Sequence, residues 1–132
     1  MQTTSENFTI TNKSRGSSAI TELPFAEIKI AALGNKYELS LVFVDGPEMK
    51  KLNRNYREKD YATDILSFPI DELSGEIFIC PSIARKKATE FGRSFTNYVQ
   101  FLFIHGCTHL IGFEHSSKME SEEQKIRARF AI

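Results

Sequence analysis

The sequence predicts an α+β fold: a single domain, residues 1–132, with a small mixed sheet of about four strands packed against helices. Short apolar runs of strand length alternate with longer segments that repeat at helical spacing. Their order is strand, helix, strand, helix, two strands and three helices. A chain of 132 residues also leaves room for little more than one hydrophobic core.

The first strand is the alternating segment 8–11, followed by a polar loop over 11–18. Pro24 stands at a first-turn position, and Phe25, Ile28, Ala32 and Leu33 recur at helical spacing until Gly34 and Asn35 stop the helix. Residues 37–45 alternate, with Leu39, Leu41 and Phe43 against Glu38 and Ser40. They then turn apolar on both faces at Val42 and Val44, the pattern of an internal strand covered on both sides. Asp45, Gly46 and Pro47 end it, and a helix over 48–57 carries Met49, Leu52 and Tyr56 on one face. The apolar runs 65–70 and 76–80, joined by the polar link 71–75, form sequential strands of one sheet. A helix over 82–91 stops at Gly92. A longer helix over 94–111 keeps Phe95, Val99, Leu102, Phe103, Cys107 and Leu110 in register through a largely apolar segment, so it is buried. Residues 117–130 form a closing amphipathic helix with Met119, Ile126 and Phe130 as its stripe.

Seventeen basic and seventeen acidic residues cancel, which excludes a nucleic-acid binder that works through bulk charge; such binding would need a local patch. No stretch reaches the ~18 apolar residues of a membrane helix, and residues 1–13 lack a basic segment followed by an apolar run. The expected location is the cytoplasm. Cys80 and Cys107, without CxxC spacing, read as reduced core thiols.

All three histidines fall within residues 105–115, in the run HGCTHLIGFEH. On a helix, residues four apart lie ~40° apart around the axis, so His105 and His109 can reach one metal ion from the same face. Straight helix would carry His115 ~15 Å from His105, so the helix must end first, and Gly112 stands where that break is required. His105, His109 and His115 are therefore the expected ligands of one zinc ion at the end of the buried helix, with a fourth position open as in catalytic sites. Cys107 projects ~200° away from His105 and is not a ligand. The ligand spacing matches the metzincin proteases, but Gly106 occupies the position of their glutamate base, which disfavours peptide hydrolysis.

The run HGCTHLIGFEH resembles the HGxLHLxGYDH signature of the YbeY-type endoribonuclease family, a bacterial and organellar group implicated in ribosomal RNA maturation. The segment 52–69, LNRNYREKDYATDILSFP, is similar to that family's LNxxYRxxDxPTDVLSFP, and Gly75-Glu-Ile-Phe-Ile79 to its GDIxI strand. The chain departs at Ala62 (proline in the family pattern), Thr108 (leucine), and Glu76 and Glu114 (aspartates). The resemblance implies a zinc-dependent, single-strand-selective endoribonuclease of ribosomal RNA maturation and quality control, with Arg57 and His109 as catalytic residues. It implies RNA as partner, in the form of rRNA or a ribosomal subunit, together with a ribosomal protein, and no membrane.

Lys50, Arg54 and Arg57, at i, i+4 and i+7, can present one basic helix face to phosphates, or simply a solvated surface. Arg57 suits bidentate phosphate binding; its plain alternative is an ion pair with Asp60 or Asp64. Asp64, Ser67 and Glu114 are candidates to orient the ligating imidazoles, against ordinary roles in a turn, a strand and a loop. Two other classes remain open: a ribosome-associated maturation factor with a structural zinc, and a metallohydrolase acting on another substrate class.

Overall fold

The computed structural model describes residues 2–16, 18–112 and 117–132. Its strands are β1 (Gln2–Ser5), β2 (Phe8–Asn12), β3 (Glu38–Phe43), β4 (Ile65–Asp71) and β5 (Ser74–Ile79). The helices are α1 (Phe25–Leu33), α2 (Gly46–Arg57), α3 (Pro81–Glu90), α4 (Phe95–Leu110) and α5 (Ser117–Arg129), with a short 3-10 turn at Ser18–Glu22. The α+β expectation holds. The four expected strands are joined by a fifth, β1, at the far edge.

The sheet order is β1-β2-β3-β5-β4. β3 runs parallel to β2 and β5, while β1–β2 and β4–β5 are antiparallel. β3 is internal, and its two-sided apolar pattern has a direct cause. Leu41 and Phe43 face the larger core with α1 and α4, whereas Val42 packs on the other side with Val44 and Met49, beneath α2. Phe25 meets Phe103 edge-on at 5.1 Å in the larger core. Each such buried ring contributes about 1.5–3 kcal/mol relative to exposure.

The long apolar helix is buried as its composition demands, and Ser94 caps it by accepting a hydrogen bond from the Asn97 amide at 3.1 Å. It lies against β4, β5 and α3, with α5 on its flank. Gly106 allows the close approach to the sheet: a Cβ there would sit 2.9 Å from Ser67 Oγ and 3.0 Å from Cδ1 of both Ile65 and Ile77. Gly106→Val is accordingly expected to lower stability by about 1–3 kcal/mol. A thermal melt checks this, and an unchanged melting temperature would refute the tight packing. None of the described helices is long and apolar enough to cross a membrane.

Candidate active site

α4 ends at Leu110, and Gly112 follows with φ +83°, a left-handed conformation that glycine adopts without a Cβ penalty. The helix thus stops where the histidine spacing requires. His115 and Glu114 lie outside the described residues. Within α4, the Nε2 atoms of His105 and His109 face each other at 3.1 Å. Two ligand nitrogens about 2.0–2.1 Å from one tetrahedral ion would stand about 3.3 Å apart, so this pair fits the donor set of a zinc site. Among the described residues no group of three or more His, Cys, Asp or Glu side chains is placed to hold a metal.

His105 is oriented from outside α4. Its Nδ1 lies 2.5 Å from Glu123 Oε1, and Thr108 Oγ1 donates to the same carboxylate oxygen at 2.9 Å. Burial raises the Glu123 carboxyl, but the hydrogen bonds from His105 and Thr108, with the charges of His105 and Arg127, outweigh it and hold it below the ordinary glutamate range. The contribution of Glu123 to stability is therefore present at neutral pH and is lost as pH falls through that lowered value. A carboxylate on the second ring nitrogen fixes tautomer and orientation, as at many metal-ligating histidines. Glu123→Ala is expected to weaken zinc affinity roughly 10–100-fold. Competition against a chelator of known affinity measures it; an unchanged affinity would reduce Glu123 to packing.

The histidines open onto a cleft of about 390 Å³ lined by Asn53, Arg57, Lys59, Tyr61, Ser67 and Pro69 among others. β4, the edge strand, forms one wall. The Arg57 Nη2 donates to the Ser67 carbonyl at 3.0 Å, and its guanidinium lies 5.5 Å from the Phe68 ring centroid. Neither of the alternative ion pairs is present: Asp60 pairs with Arg54 at 3.8 Å and Asp64 with Lys87 at 3.6 Å. Among the described residues the cleft lining contains two cations and no carboxylate.

The other expected site residues are placed apart. Lys50 is exposed and Arg54 faces Asp60; neither lines the cleft. Asp64 is buried and accepts the Tyr98 hydroxyl at 2.9 Å, so it braces α4 against the start of β4. Burial and that same bond push the Tyr98 phenol well up. Ser67 contributes its carbonyl to Arg57 and its Oγ abuts Gly106. Cys107 is buried in the core. Its burial pushes the thiol up, with Lys29 opposing.

Sequence reasoning overlooked Glu123, Asn53, Lys59 and Tyr61. Glu123 is one of several charges on an amphipathic helix and carries no signal of its own. Asn53 is buried beside Met49 on the inner side of α2 and donates to the Tyr61 carbonyl at 2.9 Å. Thr108, where the family pattern has leucine, was the available hint of a polar neighbour.

A concave site that two imidazoles and a guanidinium share, with no carboxylate in its lining among the described residues, is the arrangement of an enzyme that handles anionic groups. A family model described as endoribonuclease YbeY matches residues 2–131. The endoribonuclease YbeY of Aquifex aeolicus is 40% identical over 110 residues, covering 78% of this chain and 73% of that protein. That of Staphylococcus carnosus is 37% identical over 107 residues, covering 72% and 70%. The solution structure of TM1509 from Thermotoga maritima aligns with a TM-score of 0.69 at 26% identity, over 94% of this chain and 91% of that one. The chain belongs to the YbeY endoribonuclease family.

Proposed function

We propose that this protein is a zinc-dependent endoribonuclease that cleaves single-stranded regions of ribosomal RNA during maturation and quality control in the cytoplasm, with a ribosomal subunit and a ribosomal protein as partners. The observation that carries the substrate class is the cleft itself: paired imidazoles and Arg57 share it, Arg57 and Lys59 line it, and no described carboxylate is part of its lining. His105, His109 and His115 would hold the metal. Zinc held there supplies Lewis acidity toward a phosphoryl oxygen and a water acidic enough to react near neutral pH.

The chain's own residues do the rest. Glu123 and Thr108 keep His105 turned so that Nε2 faces His109. Ser67 and Phe68 hold the Arg57 guanidinium at the cleft wall, and the bond to the Ser67 carbonyl uses one of its five donors, leaving the fork able to bind a phosphate and the charge that builds on it. Gly106 leaves no room for a carboxylate base in the protease position, since a side chain there would run into Ser67, Ile65 and Ile77.

The test compares RNA cleavage by zinc-loaded protein, a chelated sample and His109→Ala on single-stranded and duplex substrates. Cleavage that requires zinc and His109 and prefers single strands supports the proposal. Cleavage that survives chelation and His109→Ala points to contaminating nuclease, and RNA binding without cleavage in any sample points to a maturation factor whose zinc is structural.

A further inference from the structure

Among the described residues three aromatic side chains are strongly exposed. Two have ring partners: Tyr56, 66% exposed, packs on Phe68 at 5.2 Å, and Phe91, 65% exposed, stacks on Tyr98 at 5.8 Å. Tyr61 is 54% exposed and has no ring partner among the described residues, yet it lines the same cleft as His105, His109 and Arg57. Its backbone is anchored to α2. The buried Asn53 donates to the Tyr61 carbonyl at 2.9 Å, the Lys59 amide donates to the Asn53 carbonyl at 3.3 Å, and Arg54 pairs with Asp60 at 3.8 Å. Glu58 turns the chain out of α2 with φ 57° to start this loop. A ring with two torsions on an anchored loop loses little entropy on engaging a flat partner. Lys59 sits on the same cleft wall, exposed, with no ion pair among the described residues.

From this juxtaposition we propose that Tyr61 is the stacking platform for the nucleobase next to the scissile phosphate, with Lys59 on the adjoining phosphate, and that this subsite confines cleavage to unpaired RNA. The proposal rests on the endoribonuclease reading above. Stacking on an aromatic ring requires a base that can be splayed out of its helix, and it tolerates any base because each has a π-face. In a duplex the neighbouring pairs cover both faces, so Tyr61 has nothing to engage. Arg57 and the histidines would act on one phosphate, while Tyr61 and Lys59 select the conformation of the strand beside it.

The experiment measures kcat/KM and binding by fluorescence anisotropy for zinc-loaded wild type, Tyr61→Ala and Tyr61→Phe. The substrates are a short single-stranded RNA, its duplex, and single-stranded versions with one abasic nucleotide at each position flanking the cleavage site. Tyr61→Ala is expected to lose about 10- to 100-fold on the single strand, mainly in KM and affinity, and to narrow its preference over duplex. Tyr61→Phe should retain most activity. One abasic position should cost wild type the same factor and cost Tyr61→Ala nothing further. Wild-type cleavage with no loss at any abasic position, or losses that multiply in Tyr61→Ala, overturns the platform while leaving the endoribonuclease reading standing. Wild-type protein that neither binds nor cleaves RNA overturns both. Wild-type melting profiles for both variants are expected from the exposure of the ring; should Tyr61→Ala melt early, the abasic series on wild type decides alone.

Discussion

His109→Ala is expected to abolish bound zinc and to lower RNA cleavage by roughly 10³-fold or more, since polarisation by a metal is worth several kcal/mol and each ~1.4 kcal/mol is tenfold in rate. The geometry makes the pair interdependent. His105 and His109 present Nε2 atoms 3.1 Å apart from successive turns of one helix, so removing either leaves a single imidazole from α4. Elemental analysis of freshly purified variant and wild type is the first readout, because it moves independently of any assay for turnover. The second is thermal stability with and without chelator. Wild type should lose stability on chelation, as a ligand bound only to the native state stabilises it by mass action, and His109→Ala should be insensitive. Zinc at full stoichiometry in His109→Ala would exclude the site as drawn.

Arg57→Ala should leave zinc content and melting temperature near wild type while lowering kcat/KM by about 10²–10³-fold, the range for loss of one preorganised donor aimed at developing charge. Arg57 is exposed, and its partners, the Ser67 carbonyl and the Phe68 ring, belong to an edge strand that keeps its ladder to β5 without it. Arg57→Lys should recover only part of the loss. An ammonium supplies charge without the planar fork that can bond Ser67 and a phosphate together. Full RNA cleavage by Arg57→Ala with zinc bound would remove Arg57 from the mechanism.

These expectations differ in how they became visible. The helix-end geometry at Gly112 follows from spacing alone, because His105, His109 and Gly112 belong to one stretch of chain and helical rise sets their distances. The two-sided apolar pattern of β3 likewise announces an internal strand. Arg57 stood in a quotable segment, but its freedom from Asp60 and Asp64 was not readable: those carboxylates are taken by Arg54 and by Lys87, the latter from a helix formed more than twenty residues later. Lys50 and Arg54 share a helical spacing with Arg57 yet not its destination: Lys50 stands exposed away from the cleft, and Arg54, in the same last turn of α2 as Arg57, pairs with Asp60.

Local sequence by itself determined the α+β order of elements, the pairing of His105 with His109 and the helix stop that follows them, all of which depend on periodicity within single segments. Packing alone decided that Glu123, from α5, steadies His105, that Asn53 pins the loop bearing Lys59 and Tyr61, and that Gly106 is closed to a carboxylate by β4 and β5. Those contacts join residues distant in the chain, and a one-dimensional pattern holds no record of which faces the core will bring together.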